Sequence, residues 1–325
     1  MCFGRRDQDA EVLIFHLSSP IIAADTIMKR YHVSILLWII AFCLTLAIAV
    51  FQRVTGPTWP VRGEEKVNNM PVQYRFLRSQ TAHTPLEVRV KTRHNGLNLA
   101  LKYRRFRANE EWHETVMHWD GDGYVAHISG QPPAGKIEYQ VYSGTAAELK
   151  PLLPSSIVAR FKGHVPTVWL IFHILFMMSA ILLCARTGLE CLRPDARLSR
   201  LVGVTLSAVI LGGLVFGPLV QYFAFGDLWT GFPVGTDLTD NKTLVMVLFW
   251  LAAFFLYRRS RWWVFAAAVL MLAVTLIPHS MWGSELDYAS GEMRNKFSRP
   301  AMAPSFPAPG SGMRNRLDRF KSRQA

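Results

Sequence analysis

Five apolar runs constrain the fold of this 325-residue chain more than any other feature of its sequence. A helix needs about 20 predominantly apolar residues to cross the hydrocarbon core of a bilayer. Runs of this kind predict a membrane protein with five transmembrane helices, for which the lipid bilayer is the first expected partner. The runs are residues 33–51, 165–185, 201–220, 244–257 and 262–277.

A polar insert separates the first run from the second. Within residues 57–162, apolar and polar residues alternate in short segments, and Gly- and Pro-containing turn sequences separate these segments. This pattern is typical of an antiparallel β-sandwich of the immunoglobulin-like or fibronectin-like type. The predicted fold class is therefore an α+β membrane protein with an inserted extracytoplasmic sandwich. The segments are LEVRVKTR (86–93), LALKYRRF (99–106), YVAHIS (124–129) and KIEYQVYSG (136–144).

Basic residues indicate the orientation of the chain. Cytoplasmic loops carry an excess of Lys and Arg, and the basic residues beside the apolar runs share one side if the N-terminus is cytoplasmic. This predicts a cytoplasmic tail at 1–32, a first transmembrane helix at 33–52 and a periplasmic sandwich at 57–162, in a bacterial inner membrane. The C-terminus is then periplasmic, although the basic residues of the tail oppose the rule. The basic residues on the predicted cytoplasmic side are Lys29, Arg30, Arg186, Arg193, Arg197, Arg200, Arg258, Arg259 and Arg261.

The remaining segments complete this plan. Residues 165–291 are expected to form a four-helix membrane bundle with outward-facing polar loops. Residues 292–325 are rich in Pro, Ser and basic residues, a composition that predicts a disordered tail. Much of the formal net charge of +13 lies beside apolar runs, where it fixes topology, so nucleic acid is not an expected partner.

Two features predict a pocket at the periplasmic end of the bundle. The last two runs have only about 14 to 16 residues. At about 1.5 Å per residue they rise only some 20 to 25 Å through a core about 30 Å thick, so their outer ends should be recessed. The irregular polar stretch 221–243 would then line a water-accessible cavity. His173 lies eight residues into the second run, where an ionisable side chain should face the bundle interior.

The pocket is expected to collect imidazole and carboxylate groups. Pro278 can end the fifth helix, and His279, Glu285 and Asp287 follow it at short spacing. Such groups suit a divalent metal or a proton-transfer pair. Haem fits less well, because His173 and His279 are expected at different depths, whereas bis-His ligation needs similar depths. The candidate metal ligands are His173, His279, Asp237, Asp240, Glu285 and Asp287.

Structural roles for the same residues remain open alternatives. A histidine within a membrane helix can simply hydrogen-bond to a neighbouring helix. Thr239 or Asp240 can cap the fourth helix, where an acidic residue also complements the helix dipole. Gly213 and Gly217 form a GxxxG spacing, which favours close helix packing. The Asp-Gly-Asp-Gly sequence at 120–123 could hold calcium but is more typical of a plain turn.

The most specific sequence patterns are GPLVQYFAFGDLWTGFPVGTDLTDNKTL (217–244) and IPHSMWGSELDYASG (277–291). Through their GFPxGxDLTDNKT and PHSxxGSE segments, the chain resembles a family of uncharacterised bacterial inner-membrane proteins. Members of that family join an extracytoplasmic immunoglobulin-like domain to a helical bundle. The resemblance covers most of the chain after Met28 and implies this architecture, but it implies no reaction.

Three functions are compatible with this plan. The first is an accessory or scaffolding subunit that binds a periplasmic or membrane partner through its β-sandwich, because the sequence has no internal catalytic signature. The alternative is a membrane-embedded metal- or haem-dependent redox protein or enzyme that uses the outward-facing pocket. A transporter fits less well, because the five runs contain no inverted repeat and few charges.

Overall fold

The computed structural model describes residues 5–145, 148–278, 285–289, 291 and 293–294, and the fold is α+β. A π-helical segment, Leu211–Phe216, joins the helix Ser199–Ile210 to the helix Gly217–Phe225, so that residues 199–225 form one continuous helical rod. The helices are α1 (Arg5–Thr55), α2 (Thr167–Glu190), α3 (Ser199–Ile210), α4 (Gly217–Phe225), α5 (Leu238–Leu256) and α6 (Trp262–Leu276).

Within the described residues, four helical segments are long and apolar enough to cross a membrane. They coincide with the first four apolar runs of the sequence. The fifth run forms α6, which has 15 residues and is shorter than the others. The four segments are Met28–Thr55, Thr167–Glu190, Ser199–Phe225 and Leu238–Leu256.

The start of α5 corrects a sequence prediction. The apolar run begins at residue 244, but the helix begins at Leu238 and has 19 residues. Its cap is Asp237, whose carboxylate accepts a hydrogen bond from the N–H of Thr239 at 2.7 Å. The cap is therefore neither Thr239 nor Asp240. The sequence predicts Asp240 and Lys242 beyond the end of a short, recessed helix, but both residues lie within α5. Their side chains contact protein groups around the first turns of the helix.

The strands occupy the polar insert, with one further pair after the bundle. Four of the strands coincide with the segments predicted by alternation: Leu86–Lys91, Leu99–Arg105, Gly123–Ile128 and Lys136–Thr145. The strands are β1 (Val61–Val67), β2 (Met70–Phe76), β3 (Ser79–Thr81), β4 (Leu86–Lys91), β5 (Leu99–Arg105), β6 (His113–Val116), β7 (His118–Trp119), β8 (Gly123–Ile128), β9 (Lys136–Thr145), β10 (Glu148–Pro151), β11 (Ile157–Lys162), β12 (Glu285–Leu286) and β13 (Met293–Arg294).

The insert contains two sheets. The first has the order β1-β2-β4-β8-β7, and the second has the order β3-β11-β9-β5-β6, with β10 paired to β9. Most described pairs are antiparallel, as predicted. The pair β3–β11 is parallel, with Ser79 opposite Arg160, so the purely antiparallel prediction is wrong there. The three-residue strand β3 follows β2 of the first sheet and crosses to the edge of the second, where it runs in the direction of β11.

One hydrophobic core contains side chains from both sheets. Val88 and Ile128 come from the first sheet, and Leu101, Tyr139 and Phe161 come from the second; none is more than 1% exposed. Burying each large aliphatic side chain stabilises a fold by about 1.5–3 kcal/mol, so this core holds the two sheets together.

The second sheet meets the helices at a close backbone contact, which we call the junction. The N–H of Gly163, just after β11, donates to the carbonyl of Ala224 in α4 at 2.8 Å. A Cβ on Gly163 would lie only 2.3 Å from the carbonyl oxygen of Phe223, so this approach requires glycine. The Arg160 guanidinium lies over the ring of Phe225 at 4.5 Å. Strand β11 is therefore fixed to the end of the helical rod.

The segment after α6 returns to the same sheet. The N–H of Leu286 donates to the carbonyl of Ala134 at 3.2 Å. The Tyr288 hydroxyl accepts from the Lys136 N–H at 3.0 Å and donates to the Lys136 carbonyl at 3.1 Å. The sheets are therefore held to the bundle at two places, one just before α2 and one just after α6.

Candidate functional site

A cavity of about 300 Å³ lies at the junction, between α2, α5, the helical rod and β11. We call it the junction cavity. Its size is at the lower end of the range for small-ligand sites. Among the described residues, the ionisable side chains that line it comprise two cations, two carboxylates and one imidazole. They are Arg160, Lys242, Asp237, Asp240 and His173.

The cavity has a polar end and an apolar end. Asp240 belongs to the first turn of α5, close to the junction, whereas Met246 lines the cavity deeper in the same helix. Along α2, Ile181 follows His173 by eight residues, or about 12 Å of helical rise. Polar groups therefore lie near the sheets, and aliphatic and thioether groups lie toward the middle of the bundle.

His173 is held by the π-helical segment. Its Nδ1 lies 2.9 Å from the carbonyl oxygen of Gly212. A carbonyl can only accept, so Nδ1 carries the proton and Nε2 presents a lone pair. The same carbonyl accepts from the N–H of Gly217, the five-residue spacing of a π-helix. No described residue hydrogen-bonds to Nε2, which leaves one imidazole acceptor at the wall of the cavity.

Asp240 has a structural role in the loop before α5. Its Oδ2 accepts from the backbone N–H of Thr230 at 2.6 Å, from the Thr230 hydroxyl at 3.1 Å and from Gln221 Nε2 at 3.0 Å. The next residue, Asn241, accepts from the N–H of Phe232 at 2.7 Å through its Oδ1. Asp240 is only 5% exposed. The first turn of α5 therefore fixes the polar stretch that the sequence singles out.

Lys242 and Gln52 donate hydrogen bonds to carbonyls at the C-terminal end of α6. The Lys242 ammonium donates to the carbonyl of Ile277 at 2.9 Å, and the Gln52 amide donates to the carbonyls of Thr275 and Ile277. The last carbonyls of a helix lack intrahelical partners and carry its negative dipole end, so a cation and an amide there stabilise the short helix. This role of Gln52 could not be predicted from the sequence, because Gln52 lies more than two hundred positions away from the carbonyls that it contacts.

The structure brings three of the six predicted ligands together. His173, Asp237 and Asp240 line the junction cavity. Asp287 does not line it; its carboxylate accepts from the N–H of Ala289 at 2.9 Å in the segment that contacts the sheets. His279 and the Glu285 side chain lie outside the described residues. Among the described side chains, no three His, Cys, Asp or Glu residues form a metal-binding group.

The Asp-Gly-Asp-Gly turn is held by protein groups. Asp120 Oδ1 accepts from the N–H groups of Asp122 and Gly123, each at 3.1 Å, and Asp120 Oδ2 pairs with Arg89. The Asp122 N–H and the Arg89 guanidinium lower the pKa of Asp120. Asp122 pairs with Lys91 at 3.0 Å. Both carboxylates therefore have cationic partners within the protein.

Of the two GxxxG glycines, Gly213 makes the close contact predicted for the pair, and Gly217 has an ordinary van der Waals separation from its neighbour in α2. A Cβ on Gly213 would lie 2.6 Å from the Thr243 Cγ2 atom of α5, and a Cβ on Gly217 would lie 3.7 Å from the His173 ring. The rod therefore packs against both α5 and α2 at the cavity.

No protein-family model matches this chain, and no curated protein matches it. What the site can do follows from its geometry. The two lining cations balance the two lining carboxylates, and the imidazole is an acceptor, so a charged ligand would leave an uncompensated charge in a partly buried space. The junction cavity therefore suits a small ligand with an uncharged polar end and an apolar end.

Proposed function

We propose that this chain is a five-span bacterial inner-membrane protein that acts as an accessory or scaffolding subunit. In this proposal α6 is the fifth span, the N-terminus is cytoplasmic, and the two sheets form an immunoglobulin-like sandwich in the periplasm. The sandwich binds a periplasmic or membrane protein partner. Two sheets around one core, inserted between α1 and α2, support the sandwich assignment.

The junction is the observation that carries the proposal. The sandwich is held to the bundle by the Gly163–Ala224 hydrogen bond and the stacking of Arg160 on Phe225. It is held again by the return segment through Tyr288. A partner bound to the sandwich would therefore keep one orientation relative to the bundle, which is what a scaffolding subunit requires.

Strand β6 is the surface that best suits a partner. It is the last strand of its sheet, so one of its edges is open to another strand. Val116 at its end is 64% exposed, and the nearby Trp112 is partly exposed under the Arg104 guanidinium, 4.5 Å from its ring. Tryptophan and arginine are enriched among binding hot spots, and an exposed aliphatic side chain beside them adds apolar area to the contact.

Site-specific photo-crosslinking in intact membranes tests this function. A photoreactive residue at Val116 should give one crosslinked product of defined mass with a protein that co-purifies in a fixed ratio. The matched control places the same residue at the exposed Asn95 in the β4–β5 loop and should give no such product. Val116→Lys should abolish co-purification. Recovery of uncrosslinked monomer from both positions would contradict the proposal.

A second candidate function uses the junction cavity, and the free Nε2 acceptor of His173 favours it. The cavity would bind a small ligand with an uncharged polar end. A metal- or haem-dependent redox protein is the form predicted from the sequence, but a charged group fits the balanced charges of this cavity less well. Metal analysis and a visible spectrum of the purified full-length protein test that form. His173→Ala should remove any metal or absorbance that is present, and the exposed His164→Ala should retain it. A metal-free, colourless protein would contradict the redox form.

A further inference from the structure

A second cavity lies at the end of the bundle opposite the junction. Its volume is about 720 Å³, and the α2–α3 and α5–α6 connections form its walls. Four arginines line it, and none of its described lining residues is acidic. We call it the arginine cavity. Its arginines are Arg197, Arg200, Arg258 and Arg261.

The acidic residues nearby are engaged elsewhere. Glu190 pairs with Arg186 at 2.6 Å and with Arg193 at 3.6 Å. Asp195 pairs with Arg30 at 3.2 Å and with Arg193 at 3.3 Å. Within the described part of the chain, no carboxylate forms an ion pair with any of the four cavity arginines. Four like charges facing one concave space raise its affinity for an anion.

The backbone adds to the positive potential of this cavity. Its lining includes Ser199 and Arg200, the first two residues of α3, and no acidic side chain lies in the first turn of that helix. The N–H groups of Ser199, Arg200 and Leu201 have no acceptor among the described residues. The positive end of a helix dipole and free N–H groups both favour phosphate groups.

Exposed aromatic and aliphatic residues beside the cavity match the composition of a lipid–water interface. Trp262 and Trp263 at the start of α6 are about half exposed, and Leu192 before α3 is exposed as well. Exposed tryptophans at the end of apolar helices are typical of the interface between hydrocarbon and water. Basic cavities between helices at such an interface bind the phosphate groups of anionic lipids.

We propose that the arginine cavity binds the phosphate group of an anionic ligand, and that an anionic phospholipid of the surrounding bilayer supplies it. Planar guanidinium groups donate two parallel hydrogen bonds to phosphate oxygens, which lysine cannot reproduce. The site is independent of the partner-binding surface and of the junction cavity. In the proposed orientation it faces the cytoplasm.

Charge-conserving variants of the full-length protein in phosphatidylcholine nanodiscs test this site. Short-chain phosphatidylglycerol, short-chain phosphatidylcholine and inorganic phosphate are titrated at constant ionic strength, and the Tm shift gives an apparent Kd for each. The double variant Arg197→Lys/Arg258→Lys keeps the charge that orients the chain but loses two guanidinium groups. Arg259→Lys, next to the cavity but not in its lining, is the matched control.

Phosphatidylglycerol should raise the Tm of the wild type and of Arg259→Lys, and phosphatidylcholine should not. The double variant should bind phosphatidylglycerol at least about tenfold more weakly, because lysine keeps the charge but cannot donate two parallel hydrogen bonds to the phosphate oxygens. Arg200→Lys gives a second, single-site measurement. If inorganic phosphate raises the Tm as much as phosphatidylglycerol does, and the double variant loses this effect, the phosphate site is supported but its phospholipid source is overturned. Wild-type affinity in the double variant, or equal loss in Arg259→Lys, would overturn the proposal.

Discussion

Asp240 links the irregular polar stretch to a regular helix through one oxygen atom. The sequence predicts Asp240 either as a metal ligand or as a helix cap, because a carboxylate at the start of an apolar run suits both. The structure places it in the first turn of α5, with Thr230 and Gln221 as donors to Oδ2. These partners could not be predicted, because a loop conformation decides which N–H groups reach the carboxylate.

Asp240→Ala should lower the free energy of unfolding by about 2–4 kcal/mol, because it leaves a buried N–H and an amide without their acceptor. Thermal and chemical unfolding of the purified protein in mixed micelles measures the change. Asp227→Ala, in the same connection but without a described partner, should stay within about 0.5 kcal/mol of wild type. Equal effects of the two substitutions would show that the loop contacts contribute nothing.

The same limit applies to His173. Its position in the second apolar run predicts that it faces other helices, and it does contact the rod. Its acceptor is the carbonyl of Gly212 in a π-helical turn, and residue spacing does not predict where an α-helix widens into a π-helix. The direction of the side chain is therefore predictable from burial cost, but its partner and tautomer are not.

At the scale of elements, regular periodicity identifies strands and helices well, whereas polar strands and the polar first turns of helices are predicted poorly. The alternation in β4, β5, β8 and β9 identifies these strands, whereas β1 is missed because VRGEEKV is a polar edge strand without alternation. α5 begins earlier than its apolar run because its first turn contacts protein groups instead of lipid.

The contact of the rod with α5 gives an element-scale prediction. Gly213→Ala places a Cβ 2.6 Å from the Thr243 side chain and should destabilise the protein by about 1–3 kcal/mol through overpacking. Gly203 lies in the same rod with no atom within 4 Å of a built Cβ. Gly203→Ala should therefore be neutral or stabilise by up to about 1 kcal/mol through helix propensity. Comparison of the two unfolding free energies checks this, and a neutral Gly213→Ala would refute the close packing.

The return segment gives a pH-dependent prediction. Burial raises the pKa of Tyr288 to about 12, against about 10 in an unfolded chain. Because the native state holds the phenolic proton more tightly, this contribution to stability is fully present below pH about 10. It is lost as pH rises toward about 12. Ionisation removes the donor to the Lys136 carbonyl.

A tyrosinate absorbance titration of wild type minus Tyr288→Phe measures this midpoint. The difference signal should titrate near pH 12, and the alkaline loss of stability between about 10 and 12 should be smaller in the variant. A difference midpoint near pH 10 would show that the hydroxyl is not held against the sheet.

At the scale of the whole molecule, the order of helices and sheets follows from the order of apolar runs and alternating segments along the chain. Long apolar runs predict spans and an alternating insert predicts sheets, because each pattern has one favourable way to bury its apolar face. The junction could not be predicted, since it depends on the backbone approach at Gly163 and on one cation–aromatic contact. Which compartment each end faces rests on the arginine distribution alone.

Cysteine accessibility in cells tests that topology most directly. With the four native cysteines replaced by alanine, Asn95→Cys reports on the sandwich and Arg259→Cys reports on the α5–α6 connection. A membrane-impermeant maleimide added to cells with a permeabilised outer membrane should label Asn95→Cys and leave Arg259→Cys unlabelled until lysis. Labelling of both positions before lysis would place the sheets and the arginine loops in one compartment and contradict the proposed orientation, in which α2, the helical rod and α5 separate them.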